Sequence, residues 1–111
     1  MRPKQYEIWL ADLNPRIGTE SGKTRPVVII QTDLLNPIHP STLICPVTSQ
    51  TLPDANILRV HLNGGRLDKK SDILVDQIRA IDNRRLIEKL GQLTKEEIHL
   101  LKRNIKIVLD L

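Results

Sequence analysis

The stretch Arg25-Pro26-Val27-Val28-Ile29-Ile30 decides the fold class of this chain. A run of β-branched residues without a polar interruption is typical of a strand that is buried on both faces. Pro26 fits this interpretation, because proline is tolerated where a strand begins. We therefore predict a buried strand over Val27 to Ile30.

Apolar runs on both sides of this stretch predict the rest of a sheet. Strand-forming residues separated by turn signals indicate four further strands, at Glu7 to Leu13, Thr42 to Thr48, Ile57 to Leu62 and Ile73 to Ile81. The stretch Leu86 to Leu93 is ambiguous. About five short strands are therefore expected.

The connections between these strands contain proline, glycine and asparagine. Asn14-Pro15 ends the first strand, and Asn63-Gly64-Gly65 predicts a hairpin-type turn between the fourth and the fifth. Two polar loops, Arg16 to Thr24 and Thr32 to Ser41, are longer than tight hairpins. Pro46 predicts that the third strand lies at an edge of the sheet or contains a bulge.

The C-terminal segment predicts an amphipathic helix. Thr94 and Glu97 have the spacing of a capping box, and apolar residues then recur with helical spacing at Ile98, Leu101, Ile105 and Val108. Because 111 residues leave room for one hydrophobic core, we expect a single domain, 1–111, that is mainly β with a C-terminal α-helix. Short strands closed by one helix favour a small, strongly bent sheet or a partly open barrel.

Composition limits the classes of function. Seventeen Lys and Arg against thirteen Asp and Glu give a formal net charge of +4, which favours polyanionic partners without identifying one. Tyr6 and Trp9 are the only aromatic residues, so a site that stacks successive bases on several rings is excluded. With Cys45 alone, no internal disulfide can form, and a reducing compartment is expected. No apolar run approaches about 18 residues, so we expect a cytoplasmic protein without a membrane segment.

Six sequence blocks carry a resemblance to a known family. They are Glu7-Ile8-Trp9, Asp12-Leu13-Asn14-Pro15, Gly18-Thr19-Glu20, Lys23-Thr24-Arg25-Pro26-Val27-Val28-Ile29, Pro46-Val47-Thr48-Ser49 and Asp76-Gln77-Ile78-Arg79-Ala80-Ile81-Asp82. In this order and spacing the chain resembles the MazF/PemK toxins nearly from end to end. The family usually has glycine where this chain has Tyr6. That departure bears on the geometry with which the first strand begins and not on the site.

The resemblance implies both a fold and a function. It implies an SH3-like barrel that forms a homodimer, with an RNA-cleaving site near the dimer groove. It also implies the toxin of a type II toxin-antitoxin system, an endoribonuclease that cuts single-stranded RNA and is neutralised by a cognate antitoxin. An acidic antitoxin suits the basic composition, because a flexible acidic segment can lie where RNA would lie and fold as it binds.

Cleavage of RNA without a metal uses the ribose 2′-hydroxyl as the nucleophile on the adjacent phosphate. The enzyme must deprotonate that hydroxyl, stabilise a dianionic phosphorane and protonate the leaving 5′-oxygen. No external nucleophile is required, and we expect no cofactor.

Three residues are the candidate catalytic groups. Arg25 offers a planar, permanently charged fork for phosphate oxygens. The Thr48 hydroxyl can donate to a phosphate oxygen, and Glu20 is the nearest carboxylate in sequence that could act as a base. Each has a structural alternative: a solvated cation at a strand edge, a β-branched residue that caps a turn, and a solvated loop charge, respectively.

Four other polar residues are candidate RNA contacts. Thr19 and Lys23 flank Glu20 and could contact phosphate or sugar, whereas Ser49 and Gln77 could contact bases. A polar strand residue such as Gln77 is as often a structural hydrogen-bonding group.

The three histidines belong to none of the six blocks. We interpret His39, His61 and His99 as surface or hydrogen-bonded residues and not as the acid or base of the reaction. Metal ligation is not expected, because no two His, Asp or Glu residues recur at a recognised ligand spacing.

Two alternatives from other functional classes remain. One is a non-enzymatic toxin resembling CcdB, which poisons DNA gyrase; that family depends on a C-terminal tail containing Trp, whereas this chain ends Ile107-Val108-Leu109-Asp110-Leu111. The other is a barrel that binds RNA without cutting it and would leave purified RNA intact. The RNA sequence that is cut depends on the conformations of the loops Arg16 to Thr24 and Gln50 to Asn56.

Overall fold

The computed structural model describes residues 2–15, 17–20, 22–63 and 66–111. Within these ranges the chain forms seven strands, two short 3₁₀ turns and one α-helix. The strands are β1 Glu7–Asp12, β2 Thr24–Ile29, β3 Ser41–Thr48, β4 Arg59–Leu62, β5 Ser71–Leu74, β6 Arg79–Asp82 and β7 Leu86–Gln92, and the helix is α1 Lys95–Leu109. No helix in the described ranges is long and apolar enough to cross a membrane.

The strands form an antiparallel sheet in the order β4-β5-β3-β2-β1-β7, and β6 also pairs with β3. The long strand β3 is the centre of this arrangement. One of its sides pairs with β2, while the other pairs with β6 over residues 41–44 and with β5 over residues 47–48. The expected fold class, a small bent sheet with a C-terminal helix, is confirmed.

The predicted fifth strand, Ile73 to Ile81, is wrong as one continuous element. β5 ends at Leu74, a 3₁₀ turn follows at Val75–Gln77, and β6 begins at Arg79. The turn moves the chain from the end of β3 to its beginning. Hydrophobic patterning did not reveal the break, because Val75 is buried although it lies outside the ladder.

Other boundaries differ in smaller ways. The fourth strand begins at Arg59 instead of Ile57, and the ambiguous stretch Leu86 to Leu93 forms β7 as far as Gln92. The predicted turn at Asn14-Pro15 follows β1, and its peptide bond is cis. In the predicted turn at Asn63-Gly64-Gly65, both glycines lie outside the described residues.

Pro46 lies in an internal strand, so its predicted place at a sheet edge or bulge is wrong. It faces Val27 of β2. On the other side of β3 it falls between the segment that pairs with β6 and the segment that pairs with β5. A residue without an N–H is tolerated there because neither ladder includes it on that side.

Helix α1 closes the core, as its sequence pattern predicts. Leu101 is fully buried among strand residues that include Ile8, Val28 and Ile73. The capping box is present, because Thr94 N–H donates to Glu97 Oε1 (2.8 Å) and Glu97 N–H donates to Thr94 Oγ1 (3.2 Å). These bonds satisfy backbone donors that a helix N-terminus otherwise leaves unpaired.

Tyr6 stands where the MazF/PemK toxins usually have glycine, and it adopts the left-handed conformation that glycine tolerates best (φ 69°). Its N–H donates to Ile29 O (2.7 Å), and its carbonyl accepts from Leu93 N–H (2.9 Å). These bonds join the residue before β1 to the last residue of β2 and to the residue after β7. Its side chain packs against the core, so the tyrosine keeps the glycine-like backbone and adds apolar contact.

Lys23 also has a left-handed backbone, with φ 64°. Its N–H donates to Asn14 Oδ1 (2.8 Å) and its carbonyl accepts from Leu13 N–H (2.9 Å), which fixes the loop just before β2. This conformation strains a residue that has a Cβ atom by about 1–2 kcal/mol.

We predict that Lys23→Gly is more stable than Lys23→Ala by roughly 0.5–1 kcal/mol, because relief of this strain exceeds the greater freedom of glycine in the unfolded chain. Urea unfolding of the two variants measures the difference. Lys102 on the exposed side of α1 is the matched control, and there the order should reverse because glycine is a poor helix former. Equal stability of the two Lys23 variants would contradict the assignment of strain.

Candidate functional site

A cleft of about 930 Å³ lies where β2 begins and β3 ends. Four of the seven residues predicted from the sequence line this cleft: Lys23, Arg25, Thr48 and Ser49. The structure therefore gathers residues of two sequence blocks, and Arg25 and Thr48 come together although they are more than twenty positions apart.

The pairing of β2 with β3 explains why Arg25 and Thr48 come together. The ladder pairs Val27 with Pro46 and Val28 with Cys45. Continued by two residues, the same antiparallel register places Arg25 opposite Thr48. Residues that face each other across a sheet project to the same side. Both side chains accordingly line one cleft, at a rigid end of the sheet.

The Arg25 guanidinium is oriented by the loop that precedes it. Its Nε–H donates to the carbonyl of Gly22 (2.9 Å), and the side chain is half-buried. Within the described part of the chain, no protein acceptor is paired with its two terminal nitrogens. A guanidinium held through Nε and presenting both terminal N–H groups is suited to a phosphate.

Thr48 caps a turn, which was the structural alternative to a catalytic role, and its hydroxyl can still act on a substrate. Its Oγ1 accepts the N–H of Gln50 (3.1 Å) and so caps the turn after β3. A hydroxyl that accepts one bond still has its own hydrogen to donate. Thr48 can therefore donate a hydrogen bond into the cleft from a fixed position.

The charges around the cleft favour an anion. Lys23, Arg25, Arg66 and Lys69 line it together with two carboxylates, Asp68 and Glu88. Arg66 is bound by both carboxylate oxygens of Glu97 (2.7 and 2.8 Å). The other three basic residues leave an excess of positive charge, which attracts a phosphate backbone.

The three remaining predicted residues lie elsewhere. Thr19, Glu20 and Gln77 line a second pocket of about 250 Å³, together with Asp76, Ile78 and Arg79. This pocket is built from the β1–β2 loop and the turn between β5 and β6. The structure thus groups Glu20 with Gln77, a candidate contact to a nucleobase, and not with the residues that line the larger cleft.

Sequence patterns did not identify the acidic residue of the cleft that lies on β7. Glu88 pairs with Leu10 of β1, and both line the cleft near Arg25. Its stretch was ambiguous in the sequence, so no face could be assigned to it. Glu88 could have been located if Leu86 to Leu93 had been recognised as a strand that pairs with β1.

Several other chemically reactive residues play structural parts. Burial raises the pKa of the Cys45 thiol to about 12, with a smaller contribution from the charge of Asp76, so the thiol is not activated as a nucleophile. His39 binds the carbonyl of Ser41 (2.9 Å) and His61 binds Asp72 (2.7 Å), as expected of hydrogen-bonded histidines. Among the described residues, no three His, Cys, Asp or Glu are grouped as a metal site requires.

Residues 4–109 match the family described as PemK-like, MazF-like toxin of type II toxin-antitoxin system. Endoribonuclease MazF of Staphylococcus saprophyticus is 38% identical over 111 residues, which covers 97% of this chain and 92% of that protein. Endoribonuclease EndoA of Bacillus subtilis is 33% identical over 110 residues, which covers 97% and 95%.

A solved structure supports the fold. The crystal structure of MazF (Form-I) from Deinococcus radiodurans superposes with a TM-score of 0.87 at 22% identity and covers 100% of this chain and 99% of that chain. At 22% identity the structural similarity shows the fold alone. Membership of the family is shown by the family match over residues 4–109. The chain belongs to the PemK-like, MazF-like toxins of type II toxin-antitoxin systems.

Proposed function

We propose that this toxin is an endoribonuclease that cuts single-stranded RNA through the substrate's own 2′-hydroxyl and needs no metal. The placement of Arg25 and Thr48 across one basic cleft carries the proposal. The two relatives named endoribonucleases, which align over nearly the whole chain, support RNA as the substrate class.

The reaction is an internal displacement at phosphorus. The 2′-oxygen forms a bond to the phosphorus, the bond from phosphorus to the 5′-oxygen breaks, and a base takes the proton of the 2′-hydroxyl. An acid gives a proton to the leaving 5′-oxygen. The upstream product then carries a 2′,3′-cyclic phosphate, and the downstream product carries a free 5′-hydroxyl.

Arg25 and Thr48 stabilise the phosphorane in this proposal. The bond from Arg25 Nε to Gly22 fixes the plane of the guanidinium, so its terminal N–H groups can bind two phosphate oxygens where negative charge develops. The Thr48 hydroxyl donates to the phosphate from the other strand. Both donors stand on paired strands, so little reorganisation is needed when the charge forms.

Two carboxylates are candidates for the base. Glu20 is the residue predicted from the sequence, and Glu88 lines the same cleft as Arg25 and Thr48. We retain Glu20 as the proposed base, because the β1–β2 loop that carries it also supplies Lys23 to the cleft. Glu88 is the comparison that tests this choice.

The other predicted residues bind the RNA on either side of the cut. Lys23 contacts phosphate, and Ser49 contacts a nucleotide in the cleft. Thr19 and Gln77 contact a neighbouring nucleotide in the smaller pocket, Thr19 at its phosphate or sugar and Gln77 at its nucleobase. Direct contacts of this kind select bases in unpaired RNA.

The chain is the toxin of a toxin-antitoxin pair. We propose an acidic antitoxin that covers the basic cleft, a cytoplasmic location, and a homodimer.

Four large apolar side chains between residues 34 and 43 are exposed, with Leu34 at 84% and Ile38 at 76%, followed by Leu35 and Leu43. Exposed apolar side chains concentrated in one segment fit an interface, and we assign this segment to contact with the second copy.

The two alternative functions are not favoured. Neither a gyrase poison resembling CcdB nor a non-catalytic RNA-binding barrel accounts for relatives named endoribonucleases over nearly the whole chain. A barrel that only binds RNA would also need no arginine and threonine arranged around a phosphate.

We predict that Arg25→Ala lowers the rate of RNA cleavage by about a hundredfold or more while antitoxin binding and folding persist. Arg25→Lys should restore little activity, because an ammonium group lacks the paired donors. The assay is cleavage of a long RNA with mapped ends, run with excess EDTA, which should leave the wild-type rate unchanged. Arg84→Ala is the control, because that arginine is exposed and pairs with Asp82. Full activity of a folded Arg25→Ala protein would overturn the assignment.

We predict that Glu20→Gln slows cleavage by about a hundredfold, as expected for loss of a general base. Glu88→Gln, made in parallel, should reduce the rate far less, because it removes charge from the cleft but no proton acceptor of the reaction. Single-turnover rates on one short RNA decide between them. The reverse order of effects would transfer the role of base to Glu88 and leave the 2′-hydroxyl mechanism intact.

We predict a wild-type mass of two chains in sedimentation at micromolar concentration. Ile38→Lys should shift the protein toward one chain, because a charge cannot be buried there without a partner. Leu109→Lys, on a half-exposed position of α1, is the control and should remain dimeric. A single-chain mass for the wild type, with cleavage retained, would refute the proposed dimer.

A further inference from the structure

A fully buried carboxylate lies directly beside the end of β3. Asp72 of β5 is 0% exposed and pairs in the ladder with Thr48 on one side and with His61 on the other. Its Oδ2 accepts the N–H of Leu52 (2.9 Å) and lies 3.1 Å from Arg59 Nη1, while its Oδ1 lies 2.7 Å from His61 Nδ1. One buried group thus meets three partners from β4 and from the loop that follows Thr48.

Arg59 extends this cluster to the backbone of the same loop. Its Nη1 donates both to Asp72 Oδ2 (3.1 Å) and to the carbonyl of Gln50 (3.0 Å). The loop is therefore attached to Asp72 at two points, directly through Leu52 and indirectly through Gln50. Both points lie within four residues of Thr48.

The far end of the loop is attached as well. His61 Nε2 lies 3.3 Å from Asn56 Oδ1, and the buried Asn104 of α1 donates to the carbonyls of Asn56 (3.1 Å) and Arg59 (3.2 Å). The loop between β3 and β4 is thus fixed to the sheet near its beginning and to the helix near its end.

The fixed loop forms one wall of the cleft. Ser49 and Gln50 line the cleft beside Arg25, and the N–H of Gln50 donates to Thr48 Oγ1. A shift of the loop would therefore move Ser49 and Gln50 and also rotate the Thr48 hydroxyl. Displacements of about 1 Å in such groups are enough to slow a reaction strongly.

Stability alone does not explain this arrangement. Replacement of a buried ion pair by apolar residues of similar volume is often neutral or stabilising. Asp72 instead fixes a direction, because its Oδ2 accepts from the loop backbone at Leu52 while its Oδ1 contacts His61 of β4.

We propose that Asp72, with Arg59 and His61, is a positioning unit for RNA cleavage, which holds the loop after Thr48 so that Thr48, Ser49 and Gln50 meet the substrate correctly. This inference rests on the RNA cleavage proposed above. It assigns Asp72 an effect on the rate and on the choice among cut sites, exerted through the loop and without contact with RNA.

The test is Asp72→Asn, compared with wild type on one RNA that contains a strong and a weak cut site. Loss of the charge weakens the bonds to Arg59 and Leu52, so we expect the rate at the strong site to fall at least tenfold and the ratio of strong to weak cleavage to fall at least threefold. Partial unfolding lowers cleavage at every site by the same factor and leaves that ratio unchanged. An unchanged ratio in a folded Asp72→Asn protein would overturn the proposal.

Asp33→Asn is the matched control. Asp33 also accepts a backbone N–H from a distant residue, Gln5 (2.8 Å), and a side-chain donor from Asn36 (2.9 Å), but it lines neither pocket. We expect its cleavage ratio to equal that of wild type. If Asp72→Asn does not fold, the double variant Asp72→Leu with Arg59→Met removes both charges together, and the same loss of rate and ratio is expected. Wild-type cleavage by that double variant would overturn the proposal.

Hydrogen exchange separates this inference from the proposed function. In Asp72→Asn the amide of Leu52 should exchange at least tenfold faster than in wild type, whether or not the protein cuts RNA. Faster exchange with no RNA cleavage by wild type would leave the loop attachment standing and would remove the proposed function. Unchanged exchange at Leu52 would remove the positioning role even if wild type cuts RNA.

Discussion

The antiparallel pairing of β2 with β3 is the constraint on which the site depends. Its register brings the beginning of one strand to the end of the other, so that Arg25 and Thr48 line one cleft although they are far apart in sequence. Because β3 also pairs with β5 and β6, it cannot slide along β2 without breaking three ladders. A shift by one residue would turn its side chains to the opposite face. The geometry of the site is therefore as rigid as the sheet itself.

Charged and strained groups gather around this rigid frame. Lys23 holds a left-handed backbone next to Arg25, and Asp72 is buried next to Thr48. Both features cost stability when taken alone, the first by strain and the second by loss of hydration. Both are held by hydrogen bonds with loop residues, Lys23 with Asn14 of its own loop and Asp72 with Leu52 of the loop after β3. The loops of the cleft are thus fixed by polar interactions, while the apolar core fixes the strands.

Local patterns predicted much of the fold. The capping box at Thr94, the strand predicted over Val27 to Ile30 and the turn at Asn14-Pro15 all depend on neighbouring residues. The capping box and the turn are present, and the strand extends over Thr24–Ile29. The break after Leu74 was missed, because it is imposed by the two partners of β3 and leaves no trace in hydrophobicity. The site follows the same division. The sequence blocks before β2 and at the end of β3 contained the cleft residues Arg25 and Thr48. Glu88 lines the cleft because β7 pairs with β1, and the spacing of residues along the sequence does not reveal that pairing.

We propose that Arg25 and Thr48 serve an attack by the substrate's own 2′-hydroxyl. The most direct measurement replaces one ribose, on the 5′ side of a mapped cut, by deoxyribose in an otherwise unchanged RNA. Cleavage should stop at that bond, while other cut sites in the same molecule are cleaved at their normal rates. Cleavage of the substituted bond at the normal rate would show that another nucleophile attacks the phosphorus, and it would exclude the 2′-hydroxyl mechanism.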